Sequence, residues 1–557
     1  MHNLNLDILE NICSSLTDIP TVLALSLVSH ACHSLAIKSL FSMKPISLTK
    51  EATVRSFHHF LLGNTTNSKD RPHLLRGLII DVLPDYDTRA EVAQLLIDIL
   101  EHATHLEYLE LPSPKYMFEY FECPALPEAM SRASTLREFV SADRQSWCSD
   151  VEAIVKRTRS PLEVVRLGLY DLAFSEETGC LRPAMLGRLL EHLAPTLEVL
   201  ELTEGNVLYS QGDRGGPFPA VRSALLGLQS GPVWTDVLVN MFPALDGILN
   251  VGPLHGHDGA PLRANAPEQA RIRALNRAYQ EQHSWGKLDR VAGDTHTLYM
   301  LGLTCPVRHF MVDRVCSHRK QALVDFLRDA PPFRLKLTIL LSHGLDVFDG
   351  LVPEEVASKL THLVLMVAYD NCETSSGADA NTVASIKWED VLSKVKSSLR
   401  HCHQLTHLLL IVRCGIYVNE PDLDYSRDFA TSIRSLDHEA TARELKDAVP
   451  SLRYVLVTSN GCFSGVRIPK EENRERADWE PAYDLVTRGW FNTRTGWTDV
   501  DIDRPDVSLR RQRRLNDEVI EGVVRSQDLL INPEDEFWLG IDREWSEEET
   551  ADWPYLP

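Results

Sequence analysis

Cys305, His309, Cys316 and His318 put four potential zinc ligands within 14 residues. Thiolate sulfur and imidazole nitrogen are the donors tetrahedral zinc takes. The intervals, however, are three intervening residues, then six, then one, and match no common structural site. Val307, Phe310 and Val312 look like a buried strand through the middle of the group. The four are therefore expected to serve the core, and no metal or cofactor is expected. Cys402, between His401 and His403, falls at a helix-to-strand junction that accounts for it equally well.

Nucleophilic and phosphate chemistry fare no better. Gly461-Cys462-Phe463-Ser464-Gly465 only superficially resembles a serine elbow, because the spacing around Ser464 lacks the first glycine in place, so a turn after the last strand is expected. Gly212, Gly215 and Gly216 lack the following lysine of a phosphate loop and read as a surface loop. Asp499, Asp501, Asp503 and Asp506 could meet calcium, but no glycine bends them into a chelating loop, and a solvated acidic turn is expected. With no catalytic constellation, the chain reads as a non-enzymatic binding protein.

The elements that position these residues begin with three short helices over 4–41. Ile8, Leu9, Ile12 and Leu16 recur at helical spacing. Pro20 opens a second helix just after Asp18, with Val22, Leu23, Leu25, Leu27 and Val28 as its apolar residues. Ser29 can cap a third helix that carries Ala31, Leu35, Ala36, Leu40 and Phe41.

From about residue 70 a strand pattern, apolar-x-x-apolar-x-apolar, recurs after helical stretches. Strong copies start at Leu75, Leu106, Leu197, Leu360, Leu405 and Leu452, and weaker ones at Leu136, Leu162, Val221, Leu245, Val307 and Leu335. Steps of 31, 30, 26 and 35 residues, then 24 and 24, bracket the leucine-rich period. Helices expected over 91–102, 185–193, 391–401 and 440–449 each precede a strand. Such units expose an apolar edge unless neighbours cover it, so the array must be continuous and capped. The expected organisation is a helical segment over 1–45, an array over 70–468 and a terminal region over 469–557. An excursion over about 252–286 interrupts the array and contains a helix from Pro267 to His283. The terminal region holds six of the ten tryptophans, and nine acids against one arginine lie between Glu534 and Asp552. A short helix from Tyr483, a strand-like segment at Trp497 and a cap on the last repeat are expected there.

Composition bounds the function. A net charge of -22 repels a phosphate backbone, so nucleic acid is not an expected partner. The run Arg510-Arg511-Gln512-Arg513-Arg514 reads as a solvated helix face beside Asp517, Glu518 and Glu521. The most apolar stretch, Leu405 to Val418, is interrupted by His407, Arg413 and Cys414, and no membrane span is expected. Eleven scattered cysteines fit thiols in a reducing compartment, and the first residues do not read as a signal peptide. A cytoplasmic or nuclear location is expected.

The run Leu4-Asn5-Leu6-Asp7-Ile8-Leu9-Glu10-Asn11-Ile12, followed by Leu16, Asp18-Ile19 and Leu25-Ser26-Leu27-Val28-Ser29, resembles an F-box. It is similar to the fungal variety, whose ending His33-Ser34-Leu35-Ala36 to Ser39-Leu40-Phe41 matches. The region after it is similar to the leucine-rich half of many F-box proteins, without the asparagine that usually follows the strand. The fold this implies is α/β: a three-helix F-box-like segment followed by an irregular leucine-rich-repeat-like solenoid.

The resemblance implies docking onto a Skp-type adaptor of a cullin ubiquitin ligase through Leu4, Leu6, Ile8, Leu9, Ile12, Leu16 and Val28. The chain would then be a substrate receptor for an unknown protein. The alternative is a leucine-rich interaction scaffold unconnected to ubiquitin. Helical spacing alone does not separate a partner-facing stripe from a core-facing one. Substrate contacts are expected where loops directly follow strong strand copies, at Glu204-Gly205-Asn206, Tyr369-Asp370-Asn371 and Ser459-Asn460-Gly461, with Glu204, Asn206, Asp370, Asn371 and Asn460 as candidates. Their acidity suggests a partner with a basic face.

Overall fold

The computed structural model describes residues 6–16, 18–63, 71–142, 147–169, 183–203, 216–227, 232–252, 266–370, 385–417, 426–464, 467–469, 483–485, 488–500, 511–514 and 517–529. The chain divides into two compact units, Met1–Leu288 and Asp289–Pro557.

The first unit opens with helices Leu6–Ser15, Ile19–Ser26 and His30–Met43. Eight strands follow: β1 Ile46–Leu48, β2 Gly77–Ile80, β3 Tyr108–Glu110, β4 Glu138–Ser141, β5 Val164–Gly168, β6 Val199–Thr203, β7 Ser223–Leu226 and β8 Ile248–Val251. They pair in chain order, each parallel to the next. Parallel neighbours need a crossover. Helices Glu51–Leu62, Arg89–His102, Pro114–Phe121, Ala125–Ser131, Ser149–Arg157, Pro183–Leu190 and Thr235–Met241 lie on these connections.

The recurring leucines explain the layering. Leu106, Leu109 and Leu111 are fully buried, as are Leu197 and Leu200. Their neighbours Tyr108, Glu110, Val199, Glu201 and Thr203 are half-buried. Because strand side chains alternate between faces, one face packs under the helices and the other carries polar residues.

Within the excursion, helix Ala266–Gln280 is present and well anchored. Buried Asn276 accepts from the Thr235 N–H at 3.0 Å and donates to the Val233 carbonyl at 3.0 Å. The Trp285 indole donates to the Phe242 carbonyl at 2.9 Å.

The second unit contains β9 Leu288–Asp294, β10 Val307–Val315, β11 Arg334–Leu340, β12 His362–Asp370, β13 His407–Tyr417 and β14 Tyr454–Ser464. They too follow chain order, with β10 to β14 parallel. After β15 Arg467–Pro469 and β16 Tyr483–Leu485, which form a separate antiparallel pair, β17 Arg488–Val500 runs antiparallel to β14. β18 Arg511–Arg514 then pairs antiparallel with β17. In β12 to β14 the apolar residues are nearly continuous, because both faces are covered. One face buries Leu363, Leu365, Leu408, Leu410, Val455 and Val457. On the other, Val364, Met366, Leu409, Ile411 and Leu456 form one cluster with Ile520, Val524 and Leu529 of the terminal region.

Three local expectations are corrected. Residues 483–485 are strand, not helix, since they pair with 467–469. The basic run from Arg511 to Arg514 is an edge strand held by the β17 ladder, not a helix face. Gly461 to Ser464 continue β14 instead of turning, because β13 and β17 both supply ladder partners there.

Among the described residues, no helix is long and apolar enough to cross a membrane.

Candidate functional site

The three N-terminal helices form a small core of their own. Asp18 caps the second helix by accepting the Thr21 N–H at 2.8 Å, and hydrogen bonding by the Thr21 side chain and then its N–H holds the carboxyl below the usual range. Ser29 caps the third by accepting the Cys32 N–H at 3.2 Å. Cys13, Val22, Cys32, Ala36 and Phe41 are buried, and the Ser39 hydroxyl donates to the Cys13 carbonyl at 3.0 Å. Burial, with Cys32 beside it, pushes the Cys13 thiol up. Phe41 meets Phe57 and Phe60 of the next helix at 6.3 Å each, which fastens the segment to the helix that follows β1.

Several apolar side chains of this segment remain exposed. Of twelve large exposed apolar side chains among the described residues, five lie here: Ile8, Ile12, Leu23, Leu27 and Val28. Leu27 is 86% exposed. An isolated exposed leucine needs no explanation, but a group on one small unit marks an interaction site. Of the residues named from sequence, Ile8, Ile12 and Val28 face solvent and Leu9 and Leu16 are half-buried. Leu6 is the first helical residue, and Leu4 lies outside the described residues. Leu23 and Leu27 of the second helix are exposed as well. Their apolar type was visible in sequence, but the face they occupy was not.

The loop candidates fare differently. Glu204, Asn206 and Asn371 lie outside the described residues, and Asp370 is the last residue of β12, in register with Gly415. Asn460 is not in a loop. It sits inside β14, in register with Arg413 and Asn492, because the ladder continues past the expected end.

A second surface, missed from sequence, is the polar face of the first unit's sheet. Arg166 on β5 reaches Glu138 on β4 at 2.5 Å and Glu201 on β6 at 3.0 Å. Burial raises the Glu201 carboxyl in spite of Arg166. Tyr108 donates to Glu110 at 2.5 Å, and burial followed by that bond pushes its hydroxyl up. The signal was present in the x positions of the strand pattern, which repeatedly hold Glu, Tyr or Arg.

In the second unit, the terminal region closes on the sheet through Asp528. Its carboxylate meets Arg290 at 2.5 Å, Arg308 at 3.0 Å, His309 at 3.4 Å and Arg334 at 3.7 Å. Burial opposes its charge, but His309 and the arginines outweigh it and hold the carboxyl far below the usual range. Beside it, His362 stacks on His407 at 4.3 Å and His407 on Tyr454 at 4.8 Å, along one register row. Burial lowers His309 and His362, and burial with His362 beside it lowers His407 to about 4. With every cation here held by carboxylate or carbonyl, this cluster is a clamp and not an anion site.

No protein-family model and no curated protein matches the chain.

Proposed function

We propose that the chain is a non-catalytic substrate receptor whose N-terminal helices dock a Skp-type adaptor of a cullin ubiquitin ligase. The observation that carries this reading is the exposed apolar group Ile8, Ile12, Leu23, Leu27 and Val28 on a separately packed three-helix segment. Burying such a group on a partner contributes roughly 25 cal/mol per Å² of apolar surface, partly offset by the cost of association. Leu4, Leu6, Leu9 and Leu16 extend the contact in the arrangement that the F-box resemblance implies.

The leucine-rich array then presents the substrate. Its receiving surface is the polar sheet face of the first unit around Glu110, Glu138, Arg166 and Glu201. Three carboxylates against one guanidinium on that face suit a protein with a basic surface, and association should weaken as salt screens the attraction over roughly 10 Å at 0.1 M.

The test mixes the full chain with a purified Skp-type adaptor at micromolar concentration and measures co-elution. A stoichiometric complex is expected. Absence of any complex overturns the ubiquitin-ligase reading and leaves an interaction scaffold.

A further inference from the structure

We propose that Cys316, His318 and His343 form a binding site for a zinc-class divalent cation, at the carboxyl ends of β10 and β11. One potential donor atom from each residue lies within 4.8 Å of the other two. Cys316 Sγ is 3.5 Å from Nδ1 and 3.4 Å from Nε2 of His318. Tetrahedral zinc with ordinary bond lengths separates a sulfur and a nitrogen donor by about 3.5 Å, so the pair stands at that distance, and because the sulfur is nearly equidistant from both ring nitrogens a turn of the His318 ring aims one lone pair at the ion. The His343 ring lies edge-on to His318 at 4.9 Å, and closing the third donor takes on the order of 1 Å of side-chain rotation.

The backbone brings these residues together from two neighbouring strands. β10 and β11 are parallel and in register to Val315 and Ile339, so Cys316 and the 341–343 turn emerge side by side. Both approaches are unusual. β10 carries an irregularity between Val312 and Val315, where Arg314 takes φ +54, a left-handed value that costs a side-chain-bearing residue free energy. The 341–343 turn exits through Gly344 at φ +87 and ψ 177, a conformation essentially restricted to glycine. The Ser317 hydroxyl donates to the His343 carbonyl at 3.0 Å and ties the two turns together.

The chemistry suits the ion. One thiol and two imidazoles are borderline-soft donors, matched to zinc and poorly matched to magnesium or calcium. Binding displaces the Cys316 proton to solvent, so affinity should fall as pH is lowered. Cys316 is buried, His343 half-buried and His318 exposed, which gives the ion a route in and leaves the fourth position to water. The four-ligand grouping of Cys305, His309, Cys316 and His318 is not assembled, because His309 faces Asp528 instead.

Cobalt(II) reports on the site directly. It should be titrated into the full reduced chain after chelator treatment, following thiolate-to-metal absorption in the near ultraviolet. One equivalent with that band is expected. Cys316→Ser should abolish the band, and His318→Gln and His343→Gln should each weaken binding by roughly tenfold or more, since even outer-shell changes cost that much. His318 is exposed, so its variant tests ligation without disturbing the core. Zinc should raise the melting temperature of the wild type more than that of His318→Gln. Lack of a thiolate band in the wild type overturns the proposal, as does a band that persists in Cys316→Ser or an affinity unchanged in His318→Gln.

Discussion

Asp528 stands in the left-handed region at φ +53 at the end of helix Asp517–Ser526 and takes the Arg290 guanidinium at 2.5 Å, across 238 residues of chain. The helix ends as a Schellman-type cap: the Leu529 N–H bonds the Val524 carbonyl at 2.9 Å, and both side chains join the cluster beneath. A backbone position that favours glycine is thus held by a charged residue because three arginines and a histidine converge on it.

Removing that charge should destabilise the second unit. Asp528→Asn keeps a residue tolerant of the left-handed conformation but leaves Arg290 partly buried without its anion, while Arg308 retains Asp289. The expected loss is about 2–3 kcal/mol, read as a lower denaturant midpoint. Asp528→Gly relaxes the backbone and should lose nearly as much. A glycine variant as stable as the wild type would show that strain outweighs charge.

Acid should loosen the same region before it reaches the carboxylates. His309, His362 and His407 are neutral in the fold at pH values where the unfolded chain already binds protons. The unfolded state then carries more protons, so stability rises with pH and is lost on acidification from about 6.5 toward the depressed folded values, about 4 for His407. Asp528 adds a later loss: its stabilisation is full above the unfolded carboxylate value of about 3.9 and fades below it. His407→Phe retains a ring between His362 and Tyr454 and should flatten the slope between pH 6.5 and 4. An unchanged slope in thermal melts across that range would count against the ladder.

Gly344→Ala should cost about 1–3 kcal/mol, because φ +87 with ψ 177 is closed to a side chain, and it should shift His343 with the turn. Thermal melting checks the first effect and cobalt titration the second.

Much of this architecture was legible in the sequence. The leucines of the strand pattern locate β2 to β8 and β10 to β14, since burying one face requires them at fixed spacing. β1 escaped because Ile46-Ser47-Leu48 is too short to show a period, and β9 because Asp289, Arg290 and Asp294 dilute its apolar character. Tyr483 and the arginines after Arg510 were misread because a local pattern does not reveal a pairing partner. The candidate sites depend on that missing information more strongly. Which of Leu23, Leu25 and Leu27 faces outward is set by the packing of the third helix. His343 joins Cys316 only because two strands end side by side, and Asp528 finds Arg290 only in the folded chain.

The exposed N-terminal surface gives a clean test, because Ile12 and Leu27 lie outside the core and can be changed without unfolding it. The measurement is the calorimetric affinity of a purified Skp-type adaptor for the full wild-type chain and for the double variant Ile12→Asp, Leu27→Asp. Burying two unpaired carboxylates should weaken binding by roughly 100-fold or more at unchanged melting temperature, from a wild-type Kd on the order of micromolar or tighter. Equal affinity for both chains, or no binding by the wild type, would contradict the assignment of this surface to the adaptor.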